Sequence, residues 1–396
     1  MKSIAIVVIA YNRVHSLSRL LLSLKAANYY GHDVPLIISI DYSENKEVSQ
    51  YANSFQWPFG EKKVILHPKR LGLRKHVISC GNLTKDYDAV IALEDDIFVS
   101  KDFFKYAKQA VEKYDSCDEI AGISLYTHLW NVGADRPFIP QNNGFDAYFL
   151  QYAQSWGQVW TKRMWSQFYR WYLECGDEWN KDVILPNNIL NWPDSSWLKY
   201  YISYITKTNR FFVYPYVSLT TNFTDAGTHH KASSTNFQVP LLSYEKEHYH
   251  LPTFTDNALK YDVFFEVEDI ELNLGISKKD ICIDIYGKKD NEKKQRYWLT
   301  TKHLDYKIVK EYSLQLRPHE LNIIYGISGK GIYLYDTTLK GKKRTSKEIS
   351  VLDVSKVKYD IRAISNKRLL SLLKYELIEA IKKKINSILK VRKTGK

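Results

Sequence analysis

The sequence predicts an α/β fold, a mostly parallel sheet with helices on both faces, and three observations carry that prediction. Over the first 115 residues, short apolar runs alternate with amphipathic helical stretches, as in repeated βα units. The apolar runs are continuous and rich in β-branched residues, the pattern of strands buried on both faces. Three of them end in polar residues (Tyr11-Asn12-Arg13, Asp41 and Glu94-Asp95-Asp96), and the carboxyl ends of parallel strands are where such sheets take ligands.

Taken in order, residues 4–9 read as the first strand. Ser16 then precedes Leu17, Leu20, Leu21 and Leu24, a helix with a Ser cap. Residues 36–40, 63–66 and 89–93 read as three further buried strands, and 102–114 returns to helical spacing through Phe103, Phe104, Ala107 and Val111. Residues 116–255 are aromatic and irregular, and read as loops and short helices covering a site. Short β-like runs follow at 263–267, 281–286, 321–325 and 331–335, which suggests a small β-rich module. Residues 366–392 read as an amphipathic helix with an apolar stripe through Leu369, Leu373, Leu377, Ile381, Ile385 and Leu389.

Charge sorts these regions. The 396 residues include 57 Lys+Arg and 44 Asp+Glu, a net charge of +13. Residues 340–396 hold 18 basic and 5 acidic residues, which is the whole surplus; in residues 1–339 the 39 of each sign cancel. A neutral body argues against a protein that coats nucleic acid. Cys80, Cys117, Cys175 and Cys282 lie far apart without a CxxC pair, so neither a disulfide framework nor a zinc ribbon is expected. No apolar run approaches the roughly 20 residues that span a bilayer. The run at 4–10 is short for a secretion signal and has no small-residue cleavage site after it, so a protein neither exported by that route nor transmembrane is expected.

The sharpest local feature is Glu94-Asp95-Asp96 between apolar neighbours at a strand end. Three adjacent carboxylates repel unless a positive group sits among them. A hard divalent cation, Mn²⁺ or Mg²⁺, takes such oxygen ligands and keeps positions for phosphate. The rival reading is a strand end turning into solvent, and the placement at a ligand-binding edge favours the metal.

In this order the motifs resemble those of GT-A nucleotide-sugar glycosyltransferases, in particular metal-dependent N-acetylglucosaminyltransferases with a Glu-Asp-Asp motif and bacterial surface-polysaccharide glycosyltransferases. The resemblance covers roughly residues 3–240. It implies that Ala10, Tyr11 and Arg13 receive the nucleotide, with Arg13 toward phosphate, and that Asp41 meets the uracil base. It also implies that Glu94 and Asp95 face ribose and sugar while Asp96 coordinates the cation. Ser155-Trp156-Gly157 through Trp165 is similar to the family's Trp-rich segment, and Pro193-Asp194-Ser195-Ser196-Trp197 to the stretch bearing the catalytic base. That match puts the base at Asp194. The spacing of Trp192, Asp194 and Trp197 departs from the family's, which keeps Asp182 and Asp225 as alternatives. Asn222 through His230 resembles a late Gly-Thr-His motif whose His229 would reach the diphosphate or the metal.

The expected activity is inverting, metal-dependent transfer of a sugar from a UDP-sugar to a growing cell-surface glycan or glycolipid. Trp130, Trp156, Trp160 and Trp192 would stack on sugar rings. Residues 1–115 and 116–258 would form the nucleotide and acceptor halves, 259–345 an accessory module and 346–396 a basic amphipathic tail. The tail would hold the protein on the inner face of the plasma membrane through anionic lipid. A nucleotidyltransferase acting on a sugar phosphate and a non-catalytic carbohydrate-binding protein are the alternatives. The first would show a glycine-rich loop where Ala10-Tyr11-Asn12-Arg13 stands.

Overall fold

The structure, a computed structural model, describes residues 2–223, 225, 235, 237–255, 258–361 and 364–394, with backbone alone at 383 and 385–394. The first part runs β1 (Ile4–Ala10), α1 (Val14–Lys25), β2 (Leu36–Ile40), α2 (Glu47–Ser54), β3 (Lys62–Leu66), α3 (Leu73–Gly81), β4 (Ala89–Glu94), β5 (Ile97–Val99) and α4 (Phe103–Tyr114). It continues through β6 (Ile120–Ser124), the pair β7 (Trp130–Asn131) and β8 (Arg136–Pro137), β9 (Ala147–Leu150) and β10 (Gln158–Thr161). Helices α5 (Lys162–Cys175), α6 (Asn187–Leu190) and α7 (Leu198–Lys207) precede β11 (Phe211–Pro215), β12 (Thr220–Asn222) and β13 (Lys260–Tyr261). The last part holds β14 (Ile281–Asp284), β15 (Tyr297–Thr300), β16 (Tyr306–Tyr312), α8 (Leu321–Ile324), β17 (Ile332–Lys340), α9 (Ser346–Ile361) and α10 (Asn366–Thr394).

Nine strands form one sheet in the order β13-β9-β11-β6-β10-β4-β1-β2-β3. The run from β4 to β3 is parallel throughout, and β10 is antiparallel to both its neighbours. Alternate residues of β1 point to opposite faces, which divides the core in two. Ile4, Ile6 and Val8 pack with α1, α2 and α4 through Leu17, Leu20, Val48, Phe103 and Ala107. Ala5, Val7 and Ile9 pack with α3, α5 and α7 through Val77, Trp165, Phe168 and Tyr201. Both faces of the sheet are thus covered, as the uninterrupted apolar runs require.

Three expectations are corrected. Residues 116–255 are not mainly loop: they supply β6, β9, β10 and β11 to the main sheet. Residues 263–267 form a turn rather than a strand, because the Asp262 carboxylate accepts from the backbone N–H groups of Phe264 at 2.8 Å and Glu266 at 3.0 Å and curls the chain. Residues 321–325 are helical, held by the Asn322 side chain, which accepts from Gln315 N and Leu316 N at 2.9 Å each.

Strands β14, β15, β17 and β16 form a separate four-stranded sheet in that order. Its apolar residues Ile281, Leu299, Ile332 and Leu334 join the same buried cluster as Tyr261 and Phe265 of the body. Helix α9 is tied down by Arg136, which donates to Asp360 at 2.8 and 3.0 Å, and by the Tyr359 hydroxyl on the Leu316 carbonyl at 2.6 Å. Along α10, by contrast, Leu370, Leu373, Leu377 and Ile381 are all exposed. Among the described residues no helix is long and apolar enough to cross a membrane.

Candidate active site

The register of the parallel strands brings three polar strand ends together. Ile9 pairs with Glu94 and Ala10 with Ile40, so Tyr11, Asp41 and Asp95 emerge side by side. They open into a cavity of about 670 Å³, within the size range of small-molecule sites. Ala10, Tyr11, Arg13, Asp41, Glu94, Asp95 and Asp96 all line it.

Arg13 stands at the start of α1 with its guanidinium across the acidic run. It is ion-paired to Asp95 and donates to Asp96 Oδ2 at 3.1 Å. The other oxygen of Asp96 accepts from Asn222 Nδ2 at 3.2 Å, and the Asp96 carbonyl accepts from Phe223 N at 3.0 Å. Burial pushes the Asp95 carboxyl up to about 6 against the opposing pull of Arg13. Glu94 is driven up further by burial and by its two acidic neighbours, while a hydrogen bond from the Trp197 side chain opposes the shift.

On the β2 side, Asp41 serves as a backbone anchor. Its Oδ1 accepts from Tyr42 N at 2.9 Å and Leu71 N at 2.7 Å, and Oδ2 accepts from Gly72 N at 3.0 Å. This ties the 70–72 loop to the end of β2. Gly72 has φ +76°, a conformation that glycine adopts without strain. The loop sets Arg70 over the Tyr11 ring at 4.2 Å, a cation–π contact at the cavity edge. Behind it, Ser39 Oγ contacts His76 Nε2 at 2.8 Å, and burial lowers His76 to about 4, so its imidazole is neutral.

The aromatic part of the lining is Trp156, Trp192, Trp197 and Phe237. Trp156 and Phe237 face each other with centroids 4.9 Å apart. Trp160, by contrast, is fully buried against Trp165, Trp197 and Tyr201 and belongs to the core, and Trp130 lies away from the cavity. Asp225 also lines the cavity, next to α1, where Arg13 donates to its carbonyl at 3.4 Å. Burial raises its carboxyl, but Arg19 and the Ser16 hydroxyl at 2.7 Å outweigh that and hold it lowered and ionised.

The geometry does not bring Asp194 to this cavity. Its side chain is 95% exposed and paired with Lys199 Nζ at 2.8 Å, although the adjacent Pro193, Ser195 and Ser196 do line the wall. Asp182 is exposed and is not a lining residue. His229 lies outside the described residues. Ser16 reads from the sequence as a helix cap, but α1 starts at Val14 with Arg13 as its N-cap, and the Ser16 hydroxyl donates to Asp225 instead; Arg19 went unread. They stand on the polar side of a Leu-rich helix, and only the return of the 222–225 segment, about 200 residues later, gives them a partner.

For a divalent cation, the donor chemistry fits. Among the described residues no three His, Cys, Asp or Glu side chains group so as to hold a metal by themselves. Mg²⁺-type sites, however, need only one or two carboxylates and complete their shell with water and substrate phosphate. Asp95 and Asp96 supply hard oxygens at the cavity surface.

No protein-family model matches the chain, and no curated protein matches it. Among solved structures it is similar to the mannosyltransferase PcManGT from Pyrobaculum calidifontis in complex with GDP-Man and Mn²⁺, with 10% identity and a TM-score of 0.30 over 40% of this chain and 44% of that one. It is also similar to S. aureus TarS 1–349 in complex with UDP, with 14% identity and a TM-score of 0.34 over 54% of this chain and 57% of that one. The chain therefore spans about half the length of these neighbours, and likeness at that level defines neither its fold nor its activity.

Proposed function

We propose that the protein is a nucleotide-sugar glycosyltransferase that transfers a sugar from a UDP-sugar, with inversion, to a cell-surface glycan or glycolipid. One observation carries the reading: the parallel strand ends bring Arg13, Asp41 and Glu94-Asp95-Asp96 into one cavity that Trp156, Trp192 and Trp197 also line. A diphosphate needs cations, a sugar ring needs a flat apolar face, and the lining offers both.

In this reading the nucleoside lies over Ala10 and Tyr11 beside the Asp41-anchored loop, with the diphosphate toward Arg13. Glu94 and Asp95 face ribose and sugar. Asp96 would hold Mn²⁺ or Mg²⁺, with His229 as its expected companion, and the ion would add positive charge beside the phosphate as the sugar leaves. Arg13 contributes to the same end by donating to phosphate oxygens that gain charge in the transition state. Trp156 and Trp192 orient the sugar and exclude water that would hydrolyse the donor. The acceptor hydroxyl must lose a proton as it attacks, which calls for an ionised carboxylate that lines the cavity. We assign that role to Asp225, since Asp194 is occupied by Lys199 away from the cavity. The basic tail would place the enzyme on the cytoplasmic face of an anionic membrane.

The test is release of UDP across a panel of UDP-sugars with Mn²⁺, comparing wild type with Asp96→Ala. One donor should turn over, and both EDTA and the substitution should lower its rate by at least about 10²-fold. Turnover indifferent to both would remove the cation from Asp96, and no turnover of any donor would remove the transferase reading.

A further inference from the structure

The acidic run already has a cation in this structure, and it is Arg13. The guanidinium pairs with Asp95 and reaches Asp96 Oδ2 at 3.1 Å, while Asn222 takes Asp96 Oδ1 at 3.2 Å. Both oxygens of Asp96 therefore have donors. A guanidinium and a divalent ion on the same carboxylate oxygens repel each other at close range, so the two cannot share Asp96 fully. Arg13 is not locked in place. Its side chain is 25% exposed and lines the cavity, and among the described residues its second amino group makes one long contact, to the Asp225 carbonyl at 3.4 Å. A diphosphate supplies what would draw it away, because phosphate oxygens match the fork of a guanidinium and carry more charge than one carboxylate.

We propose that Arg13 is a resident counter-ion that yields Asp96 to a divalent cation only when a nucleotide diphosphate arrives to receive the guanidinium. The inference rests on the proposed cation at Asp96. It goes beyond that assignment by making cation and nucleotide binding cooperative, with coupling that is reciprocal by thermodynamic necessity. In the absence of nucleotide, apparent cation affinity is reduced by the small fraction of molecules in which Arg13 has let go. The protein then avoids holding a cation without its donor.

The experiment is a Mn²⁺ titration, with free ion followed by electron paramagnetic resonance, on full-length wild type, Arg13→Lys and Arg13→Ala, each with and without UDP. Wild type should bind Mn²⁺ about tenfold more tightly with UDP than without, within the usual range of coupling between sites. Arg13→Ala alone should bind it about tenfold more tightly than wild type alone, and its further gain from UDP should shrink. Arg13→Lys keeps the charge but lacks the planar fork, and should fall between the two. Melting temperature gives a second readout: Mn²⁺ without UDP should raise that of Arg13→Ala more than that of wild type, since the ion replaces the lost counter-ion in the folded state only. Should Arg13→Ala fail to fold, Arg13→Lys carries the comparison. Mn²⁺ uptake with UDP but no gain in either variant alone overturns the role of Arg13 and leaves the cation at Asp96 standing. Uptake by no protein under any condition overturns both.

Discussion

Lys199 explains why Asp194 is a poor base. The lysine is buried under Trp179, with its Nζ 4.9 Å from that ring, and a buried ammonium without an anion is costly. Asp194 supplies the anion at 2.8 Å, and its carboxyl is held low by that hydrogen bond and charge. Asp225 is ionised too, but it faces the cavity. Asp225→Asn should therefore lower the rate of transfer by about 10²- to 10⁴-fold, the usual range for general-base loss, while Asp194→Asn stays within about twofold. Because Asp225 also pins its segment to α1, Ser16→Ala serves as the control: it loosens the pin but keeps the carboxylate, and most of the rate should remain. Initial rates of UDP release with the accepted donor decide it. A dead Asp194→Asn that still binds UDP would return the role to Asp194. The strand-end residues of the site were legible because a polar residue closing a buried apolar run has few structural reasons to be there. That Asp194 turns away from the cavity was not, because it depends on which way a loop side chain turns.

The elements divide in the same way. Strands β1, β2 and β4 announce themselves as β-branched runs, since both faces of a parallel sheet are buried. Strands β9, β10 and β11 hide among Tyr, Phe and Trp, and β6 is Ile120-Ala121-Gly122-Ile123-Ser124, so a run of four or five residues has no readable period. The 262–268 turn shows the cost of a wrong period. Read as a strand, it would put Glu266 on a solvent face. The turn instead buries it, with Oε1 accepting from Tyr286 N at 2.8 Å and Oε2 without a hydrogen-bond partner among the described residues. Burial pushes the carboxyl from an ordinary 4.5 up to about 8, against the pull of Lys289. Between those values the unfolded chain has released its proton and the folded chain has not. The unfolded state therefore binds fewer protons, and this group's contribution to stability falls as pH rises from 4.5 and levels off above 8. Glu266→Gln should remove that fall, so that urea midpoints measured at pH 5 and pH 8 lie closer together than in wild type. The gain at pH 8 should be on the order of 1–3 kcal/mol. Parallel pH dependences in the two proteins would mean that Glu266 is not the group responsible.

At the scale of the whole molecule, charge and shape separate the same way. The body to residue 339 is neutral, with 39 basic and 39 acidic residues, and residues 340–396 carry 18 against 5. Helix α9 is fastened to the body by Arg136 and Tyr359 despite its exposed face, so basic charge alone does not mark a free surface. The 29-residue α10 differs: Leu370, Leu372, Leu373, Leu377, Ile378 and Ile381 are 51–62% exposed. Helices of that kind gain most of their stability from burying such residues, so α10 needs a partner. We propose an anionic bilayer surface as that partner, where each basic residue would add about 1 kcal/mol of attraction and the apolar side chains would enter the headgroup boundary. In flotation on vesicles of mixed neutral and anionic phospholipid, the full chain should rise with the lipid and a version lacking residues 366–396 should stay in the load. Raising salt from 0.1 to 1 M should weaken flotation without abolishing it, since screening removes the charge term and leaves the apolar one. The truncated protein should keep its rate with soluble donor, because the cavity draws nothing from α10. A truncated protein that floats as well as the full chain would place the membrane contact on the body. A full chain that never floats but sediments as a dimer, while the truncated one is monomeric, would make a second copy the partner of α10 and leave the surplus charge to be explained by something other than lipid.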